Sequence, residues 1–198
     1  NTLIIYTSDH GDYLGYHHLA LKGNYLYDPI MKVPLIIKFP DNAHAGTRSE
    51  ALVSNIDIAP TLLGLAGQDV PDCMPGLDLI ECPQGADAVF AESTGGSDHV
   101  IRTHTRKLIY RGPHGGSLFF DIENDPTEQV NRYEDPAYQQ EIAELRNRLA
   151  DRHMFESRTP LALDEEAPII DQPNARRAGD GHREDIAAYY HRKTFLKK

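Results

Sequence analysis

The sequence predicts an α/β fold in the first part of the chain and, after it, a small antiparallel sheet with one packed helix. Residues 3–7 form a short apolar run rich in β-branched side chains, which is typical of a buried strand. Short strand-like segments recur between 88 and 121, and an apolar stripe at helical spacing occupies 135–155. Together these three observations predict the order α/β unit, small sheet, helix.

The α/β unit opens on the strand over 3–7, which we expect in a parallel sheet because the run is apolar almost throughout. After a loop and a short helix, the apolar run 33–38 predicts a second strand. A helix then begins near Asp57, a typical N-cap residue, and ends at Gly67. The segment 68–87 is rich in Pro, Gly and Asp, so we expect a surface loop there.

The second unit alternates between short strands and turns. Its strand-like segments are 88–92, 100–104, 108–111 and 117–121. The glycine-rich turn that separates the last two segments predicts a hairpin. In the following helix, the apolar residues on one stripe are Ile142, Leu145, Leu149 and, as a further candidate, Tyr138.

The composition is that of a folded module with three predicted regions: 1–87, 88–156 and an irregular polar tail over 157–198. The net charge of −10 argues against a nucleic-acid partner, because a phosphate backbone binds basic surfaces. No apolar run approaches the ~20 residues that span a bilayer, so we expect no membrane contact. Nothing in the sequence requires the two cysteines, Cys73 and Cys82, to pair.

The most informative segment is Ser8-Asp9-His10-Gly11, which directly follows the first predicted strand. A carboxylate and an imidazole at the end of such a strand lie at the edge where α/β sheets bind their ligands. Carboxylate oxygen and imidazole nitrogen together can hold a divalent cation. The alternative is that Asp9 and Gly11 only shape a turn.

This segment and the motifs that follow it resemble the sulfatase branch of the alkaline phosphatase superfamily, which includes arylsulfatases, choline and iduronate sulfatases and phosphonate monoester hydrolases. The resemblance implies that the chain is the C-terminal part of an alkaline-phosphatase-like α/β sandwich, followed by the small antiparallel sheet and its helix. The matching motifs, in chain order, are Thr7-Ser8-Asp9-His10-Gly11-Asp12, Leu14-Gly15, Lys22, Tyr27-Asp28, Val33-Pro34-Leu35-Ile36, Asp57-Ile58-Ala59-Pro60-Thr61, Gly76-Leu77-Asp78-Leu79, Ile101-Arg102-Thr103, Lys107-Leu108-Ile109-Tyr110 and Leu118-Phe119-Phe120-Asp121.

The resemblance also implies roles for four residues. Asp9 and His10 correspond to half of the family's metal site, with Ca²⁺ expected if the other ligands are carboxylates and Mn²⁺ if the imidazole ligates. Many relatives have Asn in place of His10, which leaves its role open. Lys22 corresponds to the lysine that contacts sulfate or phosphate oxygens, the alternative being an ordinary surface lysine. His17 would orient the substrate or protonate the leaving group, and simple packing or exposure is an equal alternative.

The family's nucleophile is a formylglycine made from Cys or Ser in a C/S-x-P-x-R motif, and this sequence contains no such motif. Cys73-Met74-Pro75 fails because Leu77 occupies the arginine position. We therefore expect the C-terminal portion of a metal-dependent sulfuric-ester hydrolase, inactive alone, whose formylglycine lies in an N-terminal half. A phosphonate or phosphate ester hydrolase and a catalytically inert domain are the alternatives. The expected substrate is a small anionic ester, and the tail over 157–198 is a candidate contact for a homo-oligomer.

Overall fold

Two separate sheets and three α-helices form the part of the chain that the structure describes. The structure, a computed structural model, describes residues 1–71, 74–93, 96–112 and 115–156. The tail predicted over 157–198, and any oligomer contact assigned to it, lie outside these residues. The strands are β1 (Ile4–Thr7), β2 (Leu35–Lys38), β3 (Val89–Glu92), β4 (His99–Arg102), β5 (Arg106–Tyr110) and β6 (Leu118–Asp121), and the helices are α1 (Asp28–Met31), α2 (Ile58–Leu65) and α3 (Gln139–Asp151).

Strands β1 and β2 form a two-stranded sheet in which they run antiparallel, with Ile5 opposite Ile37. The parallel sheet expected for β1 is therefore wrong for this pair of strands. After α1 the chain enters β2 in the direction opposite to β1, so the two strands are antiparallel. Both strands alternate between exposed and half-buried residues, and Ile4 and Tyr6 remain 55% and 63% exposed. The apolar run of β1 predicts a buried strand, whereas the described residues cover only one of its faces.

The second sheet is an antiparallel meander in the order β3-β4-β5-β6, which confirms the predicted sheet and its final hairpin. The strand ends differ from the prediction: β4 ends at Arg102, and β5 already begins at Arg106. One face of the sheet packs against α3 through Ala88, Ile101, Leu108, Phe119, Ile142, Leu145 and Leu149. The other face packs against the segment that enters α1, through Leu26, Val100, Ile109, Phe120 and Ile122.

Helix α3 is shorter than the predicted span of 135–155. A 3₁₀ turn over Pro136–Tyr138 precedes it, and a π-helical turn over Arg152–Glu156 follows it. Asp135 caps this 3₁₀ turn by accepting a hydrogen bond from the Ala137 N–H at 3.0 Å. The predicted apolar stripe is confirmed, because its three aliphatic residues are buried and Tyr138 packs beside them. No helix within the described ranges is long and apolar enough to cross a bilayer.

Asp57 directly precedes helix α2 and is its N-cap residue, as predicted, but its side chain does not cap that helix. Its carboxylate instead closes the capping box of the 3₁₀ turn Asn55–Asp57, whose N-cap is Ser54, by accepting from the Ser54 N–H at 2.7 Å. The other Asp57 oxygen accepts from the Leu77 N–H at 2.8 Å, so this buried carboxylate joins the helix start to the following loop. Gly67 ends the helix with a φ of +66°, as its position in the sequence predicts.

Candidate metal- and anion-binding site

Asp9, His10 and Lys22 lie together just beyond the C-terminal end of β1. The His10 Nε2 atom is 3.9 Å from Asp9 Oδ2 and 3.5 Å from Lys22 Nζ. Asp9 and Lys22 are exposed, and the His10 side chain is 41% exposed, so the cluster opens to the surface. Three of the four predicted site residues are therefore neighbours in space, although Lys22 is separated from His10 by a loop.

The backbone fixes the tautomer of His10 that suits a ligand. His10 Nδ1 lies 2.7 Å from the Gly11 carbonyl oxygen, which can only accept, so Nδ1 carries the proton and donates it. The lone pair is then on Nε2, the atom that faces Asp9 and Lys22. A metal-ligating histidine is usually a neutral imidazole that donates the N–H of its other ring nitrogen to a carbonyl or a carboxylate.

The electrostatics of the cluster keep Asp9 ionised. When its ring is protonated, the neighbouring His10 lowers the pKa of the Asp9 carboxyl by its charge, and the His10 backbone N–H, which donates to Oδ1 at 3.0 Å, lowers it further. The site thus offers an anionic oxygen, a nitrogen lone pair and an ammonium group. The carboxylate oxygen and the imidazole nitrogen suit a metal cation, and the ammonium group suits an anion. The cluster could therefore bind a cation and an anion next to each other.

The loop that carries Asp9 and His10 is held in place by backbone contacts. Ser8 Oγ donates to the His10 carbonyl at 2.8 Å, and Asn55 Nδ2 donates to the Ser8 carbonyl at 3.0 Å. The Gly11 N–H donates to the Ile30 carbonyl at 2.8 Å. A Cβ at Gly11 would lie 1.9 Å from the Pro29 carbonyl oxygen, so only glycine allows this loop to approach α1 so closely. Sequence reasoning missed Asn55, which stands in no recognisable motif.

His17 is in a different environment from the other three predicted residues. Its ring stacks on Tyr27 with centroids 4.2 Å apart and an interplanar angle of 22°, and it meets Tyr16 edge-on at 4.6 Å. Its backbone has a φ of +52°, which is uncommon for a residue other than glycine. The Nε2 atom is buried without a hydrogen-bond partner among the described residues. His17 therefore packs against two aromatic rings and leaves one polar ring atom without a hydrogen bond.

A network of buried ion pairs was not anticipated from the sequence. Lys107 Nζ lies 2.5 Å from Glu128 Oε1 and 2.9 Å from Asp28 Oδ1, and Arg102 Nε lies 3.3 Å from Asp28 Oδ2. Burial raises the pKa of Glu128, whereas Lys107 and Arg102 outweigh the burial of Asp28 and lower its pKa. The available signal was a lysine inside the apolar β5 sequence, where a charge needs a partner.

This network positions the segment that follows Lys22. Glu128 Oε2 also accepts from the Asp28 N–H at 2.8 Å, at the first residue of α1. Tyr16 Oη donates to the Thr127 carbonyl, so both ends of the loop that carries Lys22 are attached to the turn after β6. The small sheet thereby holds the loop on which the candidate anion-binding lysine lies.

The family described as N-sulphoglucosamine sulphohydrolase, C-terminal, matches residues 15–154. The chain belongs to this sulfatase family. The sulfatase-family domain is 34% identical over 156 residues to an arylsulfatase of Clostridium perfringens, a match that covers 74% of this chain and 32% of the relative. It is also 33% identical over 146 residues to the choline-sulfatase of Rhizobium meliloti, covering 69% and 28% of the two chains. The domain thus spans about a third of the length of these curated relatives.

Solved structures show the same fold. The sulfatase-family domain aligns with a protein solved in complex with its substrate D-glucosamine-2-N,6-O-disulfate, with a TM-score of 0.69 and 30% identity, covering 84% of this chain and 36% of that one. It aligns with a phosphonate monoester hydrolase of Agrobacterium radiobacter with a TM-score of 0.65 and 28% identity, covering 77% of this chain and 35% of that one. The resemblance to the sulfatase branch and the predicted fold class are therefore confirmed.

Proposed function

We propose that this domain forms one side of the active site of a metal-dependent sulfuric-ester hydrolase. Asp9 and His10 are the proposed ligands of a divalent cation, and Lys22 is the proposed contact for the anionic group of the substrate. The observation that carries the proposal is that the His10 Nε2 atom lies 3.9 Å from the Asp9 carboxylate and 3.5 Å from the Lys22 ammonium group, at the end of β1. Membership of the sulfatase family supports the reaction class.

The donors at Asp9 and His10 fit a divalent cation. They supply one ionised oxygen and one nitrogen lone pair on an open edge, so further ligands can approach from outside this cluster. When bound there, Ca²⁺ or Mn²⁺ would supply a positive charge that polarises the sulfate ester. Because Ca²⁺ takes six to eight oxygen ligands, two donors alone are expected to bind it weakly. Further ligands, and the formylglycine nucleophile, are expected from an N-terminal half of the parent protein.

Lys22 has a separate part in the proposal. Its ammonium group lies 3.5 Å from the His10 lone pair, so it can donate to that nitrogen when no cation is bound. A cation that takes the lone pair would free the ammonium group to contact a sulfate oxygen beside it. A compact, flexible point charge suits an oxyanion whose charge shifts during transfer.

His17 is proposed to line the edge of the same pocket. The motif Leu14-Gly15-Tyr16-His17 puts it shortly before Lys22 in the sequence, and its buried Nε2 has no hydrogen-bond partner among the described residues, so a polar group of the substrate that reached this atom would satisfy it. Stacking on Tyr27 fixes the ring, which favours orientation of the substrate over movement during proton transfer.

A phosphonate or phosphate ester hydrolase is the second candidate function. The likeness to the phosphonate monoester hydrolase supports it, and the same cation ligands and lysine would serve both reactions. A sulfate monoester and a phosphonate monoester present similar tetrahedral anions, so the cluster by itself accepts either. The expected substrate is in both cases a small anionic ester.

The decisive experiment uses the full-length parent protein, assayed with p-nitrophenyl sulfate and with a p-nitrophenyl phosphonate ester. Asp9→Ala should lower kcat/KM by at least about two powers of ten, the scale of losing one electrostatic contact to the transition state. Glu50→Ala, which removes an exposed carboxylate elsewhere, is the control and should leave the rate unchanged. The ratio of the two wild-type rates decides between sulfate and phosphonate.

The 198-residue chain alone should hydrolyse neither ester, because it lacks a C/S-x-P-x-R nucleophile. Turnover by the isolated chain that Asp9→Ala abolishes would place a different nucleophile within this sequence. Wild-type activity in the Asp9→Ala parent protein would instead exclude Asp9 from the metal site.

A further inference from the structure

A second cluster of metal-ligating side chains lies in the small sheet, separate from the Asp9–His10 cluster in sequence. Glu92 ends β3 and His99 begins β4, and the two residues are direct cross-strand partners. Paired residues of an antiparallel sheet project their side chains from the same face. That face is the one covered by α3, because Phe90 and Ile101, two residues away on each strand, pack against the helix.

The third residue of the cluster lies just after helix α3. His153 lies in the π-helical turn that follows α3, and its ring meets the ring of His99 edge-on with centroids 4.4 Å apart. Such π-helical turns are rare and frequently occur at functional sites. The preceding residue, Arg152, is placed over the Phe90 ring at 5.2 Å, which holds this turn against the same end of the sheet.

We propose that Glu92, His99 and His153 form a binding site for a Zn²⁺ ion that connects the C-terminal end of α3 to the edge of the small sheet. One ligand atom of each side chain lies within 4.8 Å of the others, and His99 Nδ1 is 3.9 Å from Glu92 Oε2. His99 Nδ1 is buried and has no hydrogen-bond partner in the described part of the chain. A buried ring nitrogen without a partner, facing a carboxylate and a second imidazole, is what a metal ion would satisfy.

The donor set selects the metal. Two imidazole nitrogens and one carboxylate oxygen are typical Zn²⁺ ligands, with a water molecule as the fourth. Zn–N and Zn–O bonds of about 2.0–2.2 Å in a tetrahedron place the donors about 3.4 Å apart. The side chains therefore need to close by roughly an ångström, a movement available to Glu92, whose side chain is 64% exposed. Ca²⁺ prefers six or more oxygen ligands and should not bind here.

The site is independent of the proposed hydrolase function, so the test must exclude metal bound at the first cluster. We would titrate Zn²⁺ by calorimetry into the full 198-residue chain carrying Asp9→Ala and His10→Ala. In that background Zn²⁺ should bind with one equivalent, and Ca²⁺ added in the same way should give no comparable binding. Zn²⁺ should also raise the Tm, because it binds the folded state.

Removing a ligand should weaken this binding. His99→Gln and Glu92→Gln should each raise the Kd at least about tenfold, since even loss of a residue that only supports a ligand costs 10–100-fold. His104→Gln, which changes an exposed histidine two residues beyond β4, is the matched control and should bind as before. Circular dichroism verifies that each variant is folded, and histidine ring NMR signals should move for His99 and His153 on addition of Zn²⁺.

Two results would overturn the proposal. One is a Kd that is the same in His99→Gln, Glu92→Gln and His104→Gln, which would assign the metal to another group. The other is a set of His99 and His153 ring signals that Zn²⁺ leaves unchanged in the folded chain, which would mean that the two rings only pack against each other.

Discussion

Lys107 Nζ lies 2.5 Å from Glu128 Oε1, and neither side chain is exposed to solvent. The Asp28 carboxylate is a second partner of the same ammonium group, at 2.9 Å. The interaction connects β5, the turn after β6 and the first residue of α1, which are far apart in the sequence. It therefore couples the small sheet to the loop that carries Lys22.

Lys107→Met should destabilise the chain strongly. Removing one partner from a buried ion pair leaves the other charge uncompensated, which typically costs about 3–5 kcal/mol. Urea unfolding of the 198-residue chain measures the loss. Arg132→Ala, which breaks the more exposed pair with Asp135, is the control and should cost at most about 1 kcal/mol. An equal effect of the two substitutions would mean that Lys107 is not buried in solution.

The acid sensitivity of the fold should depend on Asp28. Its pKa is lowered in the folded state because Lys107 and Arg102 outweigh its burial, so its contribution is present above the ordinary Asp pKa of about 3.9. That contribution is lost as the pH falls through the lowered pKa. Asp28→Asn should therefore lower the unfolding free energy at pH 6 and reduce its decline below pH 4, measured by urea unfolding at several pH values.

Glu128 should act in the opposite direction. Burial raises its pKa, so its contribution is present below the ordinary Glu pKa of about 4.3 and declines as the pH rises through the raised pKa. Glu128→Gln should therefore reduce the fall in unfolding free energy as the pH rises through this raised pKa, measured by the same urea unfolding series. If Asp28→Asn and Glu128→Gln changed the pH dependence of the unfolding free energy in the same direction, the assignment of opposite pKa shifts would be wrong.

In the full-length parent protein, Lys22→Ala should lower kcat/KM for an aryl sulfate by about two to three powers of ten, the scale of one charged transition-state contact. Lys22→Arg should restore only part of the rate, because a planar guanidinium replaces a compact ammonium group. Lys32→Ala changes another exposed lysine and should retain the wild-type rate. Near-wild-type kinetics for Lys22→Ala in a folded protein would make Lys22 an ordinary surface residue.

Gly11→Ala should displace the loop that carries Asp9 and His10. The added Cβ would lie 1.9 Å from the Pro29 carbonyl oxygen, so the backbone has to move. We expect a destabilisation of about 1–3 kcal/mol, typical of overpacking, together with a loss of activity in the parent protein. At Gly23 a Cβ would be 3.6 Å from the Tyr13 ring, an ordinary contact, so Gly23→Ala is the control. Equal stability of the two variants would contradict the close approach of the loop to α1.

Sequence patterns located much of the candidate site because its parts are local. Asp9 and His10 follow an apolar strand directly, and the position of Lys22 after them is carried by the ordered motifs of the family. The support of the site could not be found in this way. Asn55, which donates to the Ser8 carbonyl, is 47 residues away from it, and no short pattern connects the two.

The sequence by itself determined the sulfatase resemblance, the strand segments of the small sheet, the final hairpin and the buried stripe of α3, because turn residues and apolar periodicity are local properties of the chain. Only the tertiary structure decided the antiparallel pairing of β1 with β2, the approach of Lys22 to His10 and the burial of Lys107. These depend on which distant residues meet: Lys107 and Asp28 are 79 residues apart. A lysine inside an apolar strand becomes stable only where folding brings carboxylates to it, and no local pattern specifies that meeting.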